Sequence, residues 1–196
     1  MKNTEDLKEF CRELMRYVGS GYHFGKIVYI PSSKGVKINE LQKKVSDYFK
    51  TNLTRGKRQW NKLNNRANFA AVSFKYLIVI LKTSGTEAIT KPNEFREIKT
   101  LDIVLSDFLG LKIFKDERNT FTFRLSKDTY QKFKGDYQQA FKEGSGKKFH
   151  TLQKMWSNLP SYVGIGKQRK ELNNYLRELS KIYKRTWDIK FWNYGR

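Results

Sequence analysis

The chain has few of the residues that cross-link small proteins or hold metals in them. Its single cysteine, Cys11, excludes an internal disulfide and a cysteine-rich zinc site. The two histidines, His23 and His150, lie far apart, and without a His-x-His pair the metal site of relaxases and rolling-circle nickases is disfavoured. No Gly-Lys-Ser/Thr sequence occurs, which argues against a phosphate loop of the nucleotide-hydrolase type. We therefore expect no metal and no cofactor.

Long apolar runs are also missing. The longest run, residues 76–81, is far shorter than the roughly 20 residues that span a bilayer. Residues 1–6 are typical of a helix start, with Asn3 or Thr4 as the cap, rather than of a signal peptide. We expect an intracellular, cytoplasmic protein with no membrane partner.

Proline is scarce, with 3 residues, whereas aromatic residues make up 15% of the chain. Disordered chains show the opposite bias. This chain can therefore build a core, and its many basic residues must lie on a folded surface. A length of 196 residues favours one domain, or one domain with a helical appendage.

Acidic residues are absent from one long stretch. No Asp or Glu occurs among the 39 residues from Tyr48 to Thr86, which carry eight positive charges. Over the whole chain 40 Lys and Arg oppose 19 Asp and Glu, which gives a formal charge of +21. Self-repulsion of such an excess destabilises a compact state, so the charge indicates a polyanionic partner, and nucleic acid is the partner it favours.

Five of the eight charges crowd into residues 55–66, together with Trp60. We predict phosphate contacts from the five basic residues of this segment: Arg55, Lys57, Arg58, Lys62 and Arg66. About five such contacts predict a log–log salt slope of about −4 to −5. Two roles stay open for Trp60, stacking on a base or anchoring the segment to the core. If the segment is helical, Arg55, Lys62 and Arg66 share a face that suits a major groove or a nucleic-acid backbone.

A second basic surface is predicted on a C-terminal helix of residues 168–183 and its flanks. Its predicted contacts are Lys167, Arg169, Lys170, Lys184 and Arg185. The last two also offset the helix dipole, which is a structural reason for their presence. The pair Gly164-Ile-Gly166, placed before the helix, would let backbone N–H groups approach a phosphate.

The hydrophobic pattern predicts an α+β fold, in which amphipathic helices pack on an antiparallel sheet and the C-terminal part is helical. Predicted helices cover residues 38–49 and a segment capped by Ser126, and the best hairpin signal joins residues 109–114 to 120–125. Residues 70–81 are one long strand or two short ones. We divide the chain into an α+β core of residues 1–143 and a basic helical part of residues 147–196 packed on the core.

One of these strands is faintly similar to the central strand of RNA recognition motif domains. The matching residues are Phe69, Ala70, Val72 and Phe74. Ala67, Asn68 and Ala71 replace the basic, glycine and aromatic positions of that pattern. Because a stacking aromatic is among those missing, we interpret the segment as an ordinary apolar strand.

Two nuclease chemistries remain as alternatives. Glu97-Ile-Lys99 has the Glu-x-Lys spacing of many restriction-type nucleases, with Asp102 nearby, and this pattern predicts a metal-dependent site. Alternatively His23 is the general base of a metal-free ribonuclease, with a lysine stabilising the phosphorane. Residues 164–169 are loosely similar to the late glycine-rich loop of CRISPR repeat-processing endoribonucleases, which work in that way.

Together these features predict a nucleic-acid-binding protein, with RNA slightly preferred over structured DNA. The expected setting is a ribonucleoprotein with further protein components, or a mobile-element or replication system. A small endonuclease or endoribonuclease is the alternative. A scaffold for an acidic protein or an anionic membrane is the third possibility, and the chain lacks the amphipathic basic helix that membranes favour.

Overall fold

The structure, a computed structural model, describes residues 2–4, 6–30, 38–87, 94–106 and 109–187. The predicted α+β class with a helical C-terminal part is confirmed. The chain forms two compact units, one of Met1–Ile103 with Lys112–Phe121 and the other of Val104–Leu111 with Thr122–Arg196. The domain division between residues 143 and 147 stays a prediction.

The first unit is built on a five-stranded sheet. Its strands are β1 (Lys2–Thr4), β2 (Phe24–Tyr29), β3 (Phe69–Phe74), β4 (Leu77–Lys82) and β5 (Arg96–Glu97). Their order is β1-β3-β4-β2-β5, and all neighbours are antiparallel except β1, which runs parallel to β3. Residues 70–81 thus form two short strands, joined by a turn at Lys75 and Tyr76 with Lys75 at a φ of 48°.

Strands β3 and β4 are almost continuously apolar because both faces of the sheet are covered. Helix α1 (Leu7–Gly19) packs on one face, where the rings of Phe10 and Phe74 lie 5.3 Å apart. Helix α2 (Ile38–Phe49) packs on the other, with Phe49 at 5.4 Å from Phe69. Cys11 is buried in this core, and burial raises the pKa of its thiol to about 12, so it is a packing residue.

The predicted cap of α1 is wrong. Asp6 caps the helix, with its carboxylate accepting from the backbone N–H of Lys8 at 3.2 Å. Residues 2–4 form β1 instead, and the hydroxyl of Thr4 donates to the carbonyl of Ser73 at 2.9 Å. The physical reason is that the edge of β3 carries backbone groups that need partners when they are buried.

Helix α3 (Arg55–Leu63) connects α2 to β3, so the basic segment is helical for most of its length. Further along the chain, β6 (Asp102–Ser106), β7 (Leu109–Lys115) and β8 (Phe121–Leu125) form a three-stranded sheet in that order. The predicted hairpin between β7 and β8 is confirmed. Its turn is closed by the Asp116 carboxylate, which accepts from the N–H groups of Arg118 and Thr120.

The second unit contains α4 (Lys127–Glu143), α5 (Gly146–Ser157) and α6 (Val163–Ile182). Ser126 caps α4 as predicted, and Gly144 ends it at a φ of 71°. Aromatic rings fill the space between α4 and α5, for example Tyr137 and Phe149 at 5.5 Å. Among the described residues, no helix has the length and apolar character needed to cross a bilayer.

Candidate nucleic-acid interface

Helix α3 is fixed to the sheet by its buried side. The hydroxyl of Thr54 caps it by accepting from the N–H of Lys57 at 3.3 Å. The buried amide of Asn61 donates to Asn68 at 2.9 Å, and the amide of Asn68 donates to the carbonyl of Arg58 at 3.0 Å. This amide pair leaves the other faces of α3 to solvent and holds them in a constant orientation.

One of those faces lines a cleft of about 660 Å³. The opposite walls are the loop between α1 and β2, the segment between α3 and β3, and Thr83 and Ser84 after β4. We call this the basic cleft, because its lining includes four cationic side chains and a histidine: Arg55, Arg58, Lys62, Arg66 and His23. Among the described residues that line it, none is Asp or Glu.

The cations of the basic cleft are not neutralised by neighbouring acids. Within the described part of the chain, none of the four forms an ion pair with a carboxylate. Four like charges gathered in one concavity repel each other, and a bound polyanion relieves that repulsion. The geometry therefore suits a phosphate-bearing ligand.

Arg58 is the most firmly held of these cations. It is half-buried, and its Nη2 donates to the carbonyl of Thr51 at 2.9 Å. Its Nε is enclosed and has no hydrogen-bonding partner among the described residues. The contact with Thr51 holds the guanidinium in a fixed position, which lowers the cost of ordering it when an anion binds.

The floor of the cleft carries Tyr22 and His23. Tyr22 is buried, and burial raises the pKa of its phenol, an effect that the nearby charge of Arg58 opposes. His23 is exposed, and its ring lies 5.2 Å from that of Phe121. Its backbone carbonyl accepts from the N–H of Ile98 at 2.8 Å, which fixes the main chain beneath the ring.

The position of Arg66 depends on a close backbone approach. Its neighbour Ala67 donates to the carbonyl of Thr86 at 3.0 Å, and Thr86 donates back to the carbonyl of Asn65 at 2.8 Å. Gly85 has a φ of +124°, and a Cβ there would lie 2.8 Å from backbone atoms of Arg66 and Ala67. Only glycine fits this contact, so Gly85 helps to shape the rim of the cleft.

Trp60 lies on another face of α3, outside the lining of the basic cleft. The residue is 42% exposed, so it is not a buried anchor. Lys57 Nζ lies 4.2 Å from the ring centroid and Arg66 Cζ lies 4.9 Å from it. The indole thus holds two cations by cation–π contacts, a role that neither sequence interpretation included.

The structure places the residues predicted as contacts on the C-terminal helix in three different surroundings. Lys167, Lys170 and Lys184 are exposed, and the guanidinium of Arg185 packs against Gly144. The prediction that Arg169 contacts nucleic acid is wrong. The residue is only 6% exposed, and its Nη2 donates to the carbonyls of Trp156 and Leu159 at 3.2 and 2.8 Å. It stabilises the helical unit and is removed from the set of candidate contacts.

The predicted glycine loop is also wrong. Helix α6 begins at Val163, so Gly164 and Gly166 lie in its first turn, and Gly164 is buried. The similarity to a glycine-rich loop therefore has no structural counterpart.

In β3, Phe69 and Phe74 are buried, so the strand has no aromatic available for stacking and is the ordinary apolar strand that we expected.

Each carboxylate of the metal-dependent alternative is paired with a lysine. Glu97 pairs with Lys99 at 2.7 Å, and Asp102 pairs with Lys112 at 3.5 Å. Within the described ranges, no three His, Cys, Asp or Glu side chains are placed to share a metal ion.

The cleft also contains Gln59, Asn65 and Ser84, which no sequence pattern singled out. The only available signal was that Gln59 and Asn65 lie within the basic segment.

Comparison with protein-family models, curated proteins and solved structures gives no match to this chain. Its function must therefore be inferred from its own residues.

Proposed function

We propose that this protein binds nucleic acid, with RNA slightly preferred over structured DNA, through the basic cleft. The observation that carries the proposal is the gathering of four cations in one concavity with no carboxylate among its described lining residues. Phosphate contacts dominate the affinity of most proteins for nucleic acid, and arginine suits them because its guanidinium can make two hydrogen bonds to a phosphate. The formal charge of +21 supplies attraction at longer range.

Helix α6 and the residues just after it give the proposal a second, weaker element. Lys167, Lys170 and Lys184 are exposed, and they suit contacts to the phosphates of the same polymer or of another one. We place the protein in a ribonucleoprotein or in a mobile-element or replication system, where a small basic binding protein has a partner of this kind.

The proposal is tested by the nucleic acid that co-purifies with the protein at low salt. The variant Arg55→Ala/Lys62→Ala removes two cleft cations, and Lys147→Ala/Lys154→Ala removes two exposed charges of α5 as a matched control. We expect the wild type and the control to retain RNA that can be sequenced, and the cleft variant to lose most of it. Equal nucleic-acid content in the two variants would contradict the placement of the site.

A metal-free ribonuclease is a second candidate, favoured by one observation. His23 lines the same cleft as Arg58 and Lys62, although it comes from a distant part of the sequence. In this reaction His23 takes the proton of a ribose 2′-OH, and the oxygen attacks the adjacent phosphorus. The bond to the 5′ oxygen breaks and that oxygen takes a proton from solvent, which leaves a 2′,3′-cyclic phosphate and a 5′-OH. The cations stabilise the charge that develops on the phosphorane.

Cleavage of labelled single-stranded RNA in EDTA tests this candidate. We expect cyclic-phosphate products from the wild type, none from His23→Ala, and none from a DNA strand of the same sequence, which lacks the 2′-OH nucleophile. The His23→Ala variant should keep the binding affinity of the four cations. Intact RNA after incubation with the wild type would eliminate the ribonuclease and leave the binding proposal standing.

A further inference from the structure

The cations of α3 face into a concavity. Arg55, Arg58 and Lys62 all line the basic cleft. A helix that reads a duplex presents its contact residues on a convex face that enters a groove. The face of α3 away from the cleft carries Trp60 and Leu63, and Leu63 is 76% exposed. This division of side chains does not suit entry of α3 into a major groove.

The size of the cleft also favours a small occupant. Its volume of about 660 Å³ lies within the roughly 300–1,000 Å³ of pockets that enclose a small ligand. A paired and stacked nucleotide cannot leave its helix to enter such a space without loss of pairing and stacking. An unpaired nucleotide can enter without that loss.

Polar side chains beside the cations provide groups that a base can use. Gln59 and Asn65 supply amides, and Ser20 and Ser84 supply hydroxyls. These groups can donate to or accept from base edges, which are exposed in full only when the base is unpaired. Arg58, anchored at 2.9 Å to the carbonyl of Thr51, supplies the fixed positive charge beside them.

We propose that the basic cleft takes an unpaired nucleotide of a single strand, with its phosphate on Arg58 and the neighbouring phosphates on Arg55, Lys62 and Arg66. This inference rests on the proposed nucleic-acid binding and specifies the form of the ligand. A single-stranded segment, a bulge or a strand end is then the preferred target, and a perfect duplex contacts only the rim.

Fluorescence anisotropy with three probes of one sequence tests the inference. The probes are a single-stranded RNA, the perfect RNA duplex and the single-stranded DNA, all at one salt concentration. Because two net hydrogen bonds to the edge of an unpaired base suffice for about a tenfold difference in affinity, we expect both single strands to bind at least about tenfold more tightly than the duplex. The ratio of the two single strands measures the contribution of the 2′-OH.

A variant with a bulkier side chain in the cleft distinguishes a nucleotide bound inside the cleft from nucleic acid bound by charge at its rim. Ser84→Leu narrows the cleft without a change of charge and without an aromatic ring on which a base could stack, since Ser84 is exposed at its wall. Thr151→Leu, on the exposed face of α5, is the matched control. We expect Ser84→Leu to weaken single-strand binding several-fold and to leave duplex binding nearly unchanged, with thermal melting as the check on folding. If Ser84→Leu does not fold, Ser20→Leu in the loop between α1 and β2 provides the same block.

Two results overturn the inference. One is equal affinity for the duplex and the single strands, and the other is normal single-strand binding by the blocked variant. In either case, weaker binding by Arg55→Ala/Lys62→Ala would show that the proposed function stands and that the cations contact nucleic acid at the rim. If that variant binds as the wild type does, the proposed function itself fails.

Discussion

Replacement of Arg55 and Lys62 by alanine removes two of the four cations of the basic cleft with little change to the fold. Both side chains are exposed, neither has a carboxylate partner among the described residues, and alanine favours the helix that they occupy. The variant should therefore melt at nearly the wild-type temperature. Its defect should appear in the salt dependence of binding.

The size of that defect follows from counterion release. Each neutralised phosphate contributes about 0.7 to the log–log salt slope for a single strand and about 0.9 for a duplex. Loss of two contacts should make the slope shallower by about 1.4–1.8. When the salt concentration rises from about 50 to 200 mM, a protein with four cleft contacts should lose about 50- to 150-fold in affinity. The variant, which keeps two of them, should lose only about 7- to 12-fold.

Anisotropy titrations at several salt concentrations measure this slope directly. The control Lys147→Ala/Lys154→Ala lowers the net charge by the same amount on α5, outside the lining of the cleft, and it should keep the wild-type slope. A cleft variant whose slope matches that of the control would refute the reasoning, because the cleft cations would then neutralise no phosphates.

Four further predictions address other parts of the structure. Gly85→Ala should lower the free energy of unfolding by about 1–3 kcal/mol, because its φ of +124° and its backbone contact exclude a side chain; a wild-type urea midpoint would contradict that contact. Trp60→Ala should weaken binding about two- to fivefold, since Arg66, the cleft cation that the indole orients, loses a cation–π contact worth about 0.5–1 kcal/mol. A loss well above tenfold would mean instead that the indole stacks on a base. Arg169→Ala should lower the thermal midpoint and leave the salt slope unchanged, because its guanidinium donates to two backbone carbonyls in the helical unit. Burial, reinforced by the charge of Glu171, raises the pKa of Tyr130 to about 12 from its usual value near 10. The folded state therefore favours the neutral phenol, and this contribution to stability is complete below about pH 10 and is lost as the pH rises toward 12. Tyr130→Phe should make that alkaline decline shallower, and an identical decline in the two proteins would show that Tyr130 does not cause it.

Local sequence was sufficient to predict the elements that have a regular hydrophobic pattern or a characteristic capping or turn residue. The cap at Ser126, the hairpin turn at Asp116 and the helix of residues 38–49 all follow from interactions within a few residues, and the structure contains each of them. The clustering of Arg55 with Arg58 and Lys62 was also visible, because it is a contiguous property of the chain.

Other features depend on contacts between distant segments and could not be predicted in this way. His23 and Ser84 reach the cleft because β2 and β4 are neighbours in the sheet, which no local pattern specifies. Residues 2–4 form a strand only because the edge of β3 needs a partner. Arg169 resembles any other basic residue of its helix, and only tertiary packing shows that it is buried.

Photo-crosslinking is the most direct test of the central claim, that nucleic acid binds in the basic cleft. Single-stranded RNA that carries 4-thiouridine is irradiated with the protein, and the crosslinked peptides are identified by mass spectrometry. We predict crosslinks within residues 20–23, 55–68 and 83–84, the segments that line the cleft, and fewer of them in Ser84→Leu. Crosslinks confined to α6, or to any surface outside those segments, would contradict the assignment.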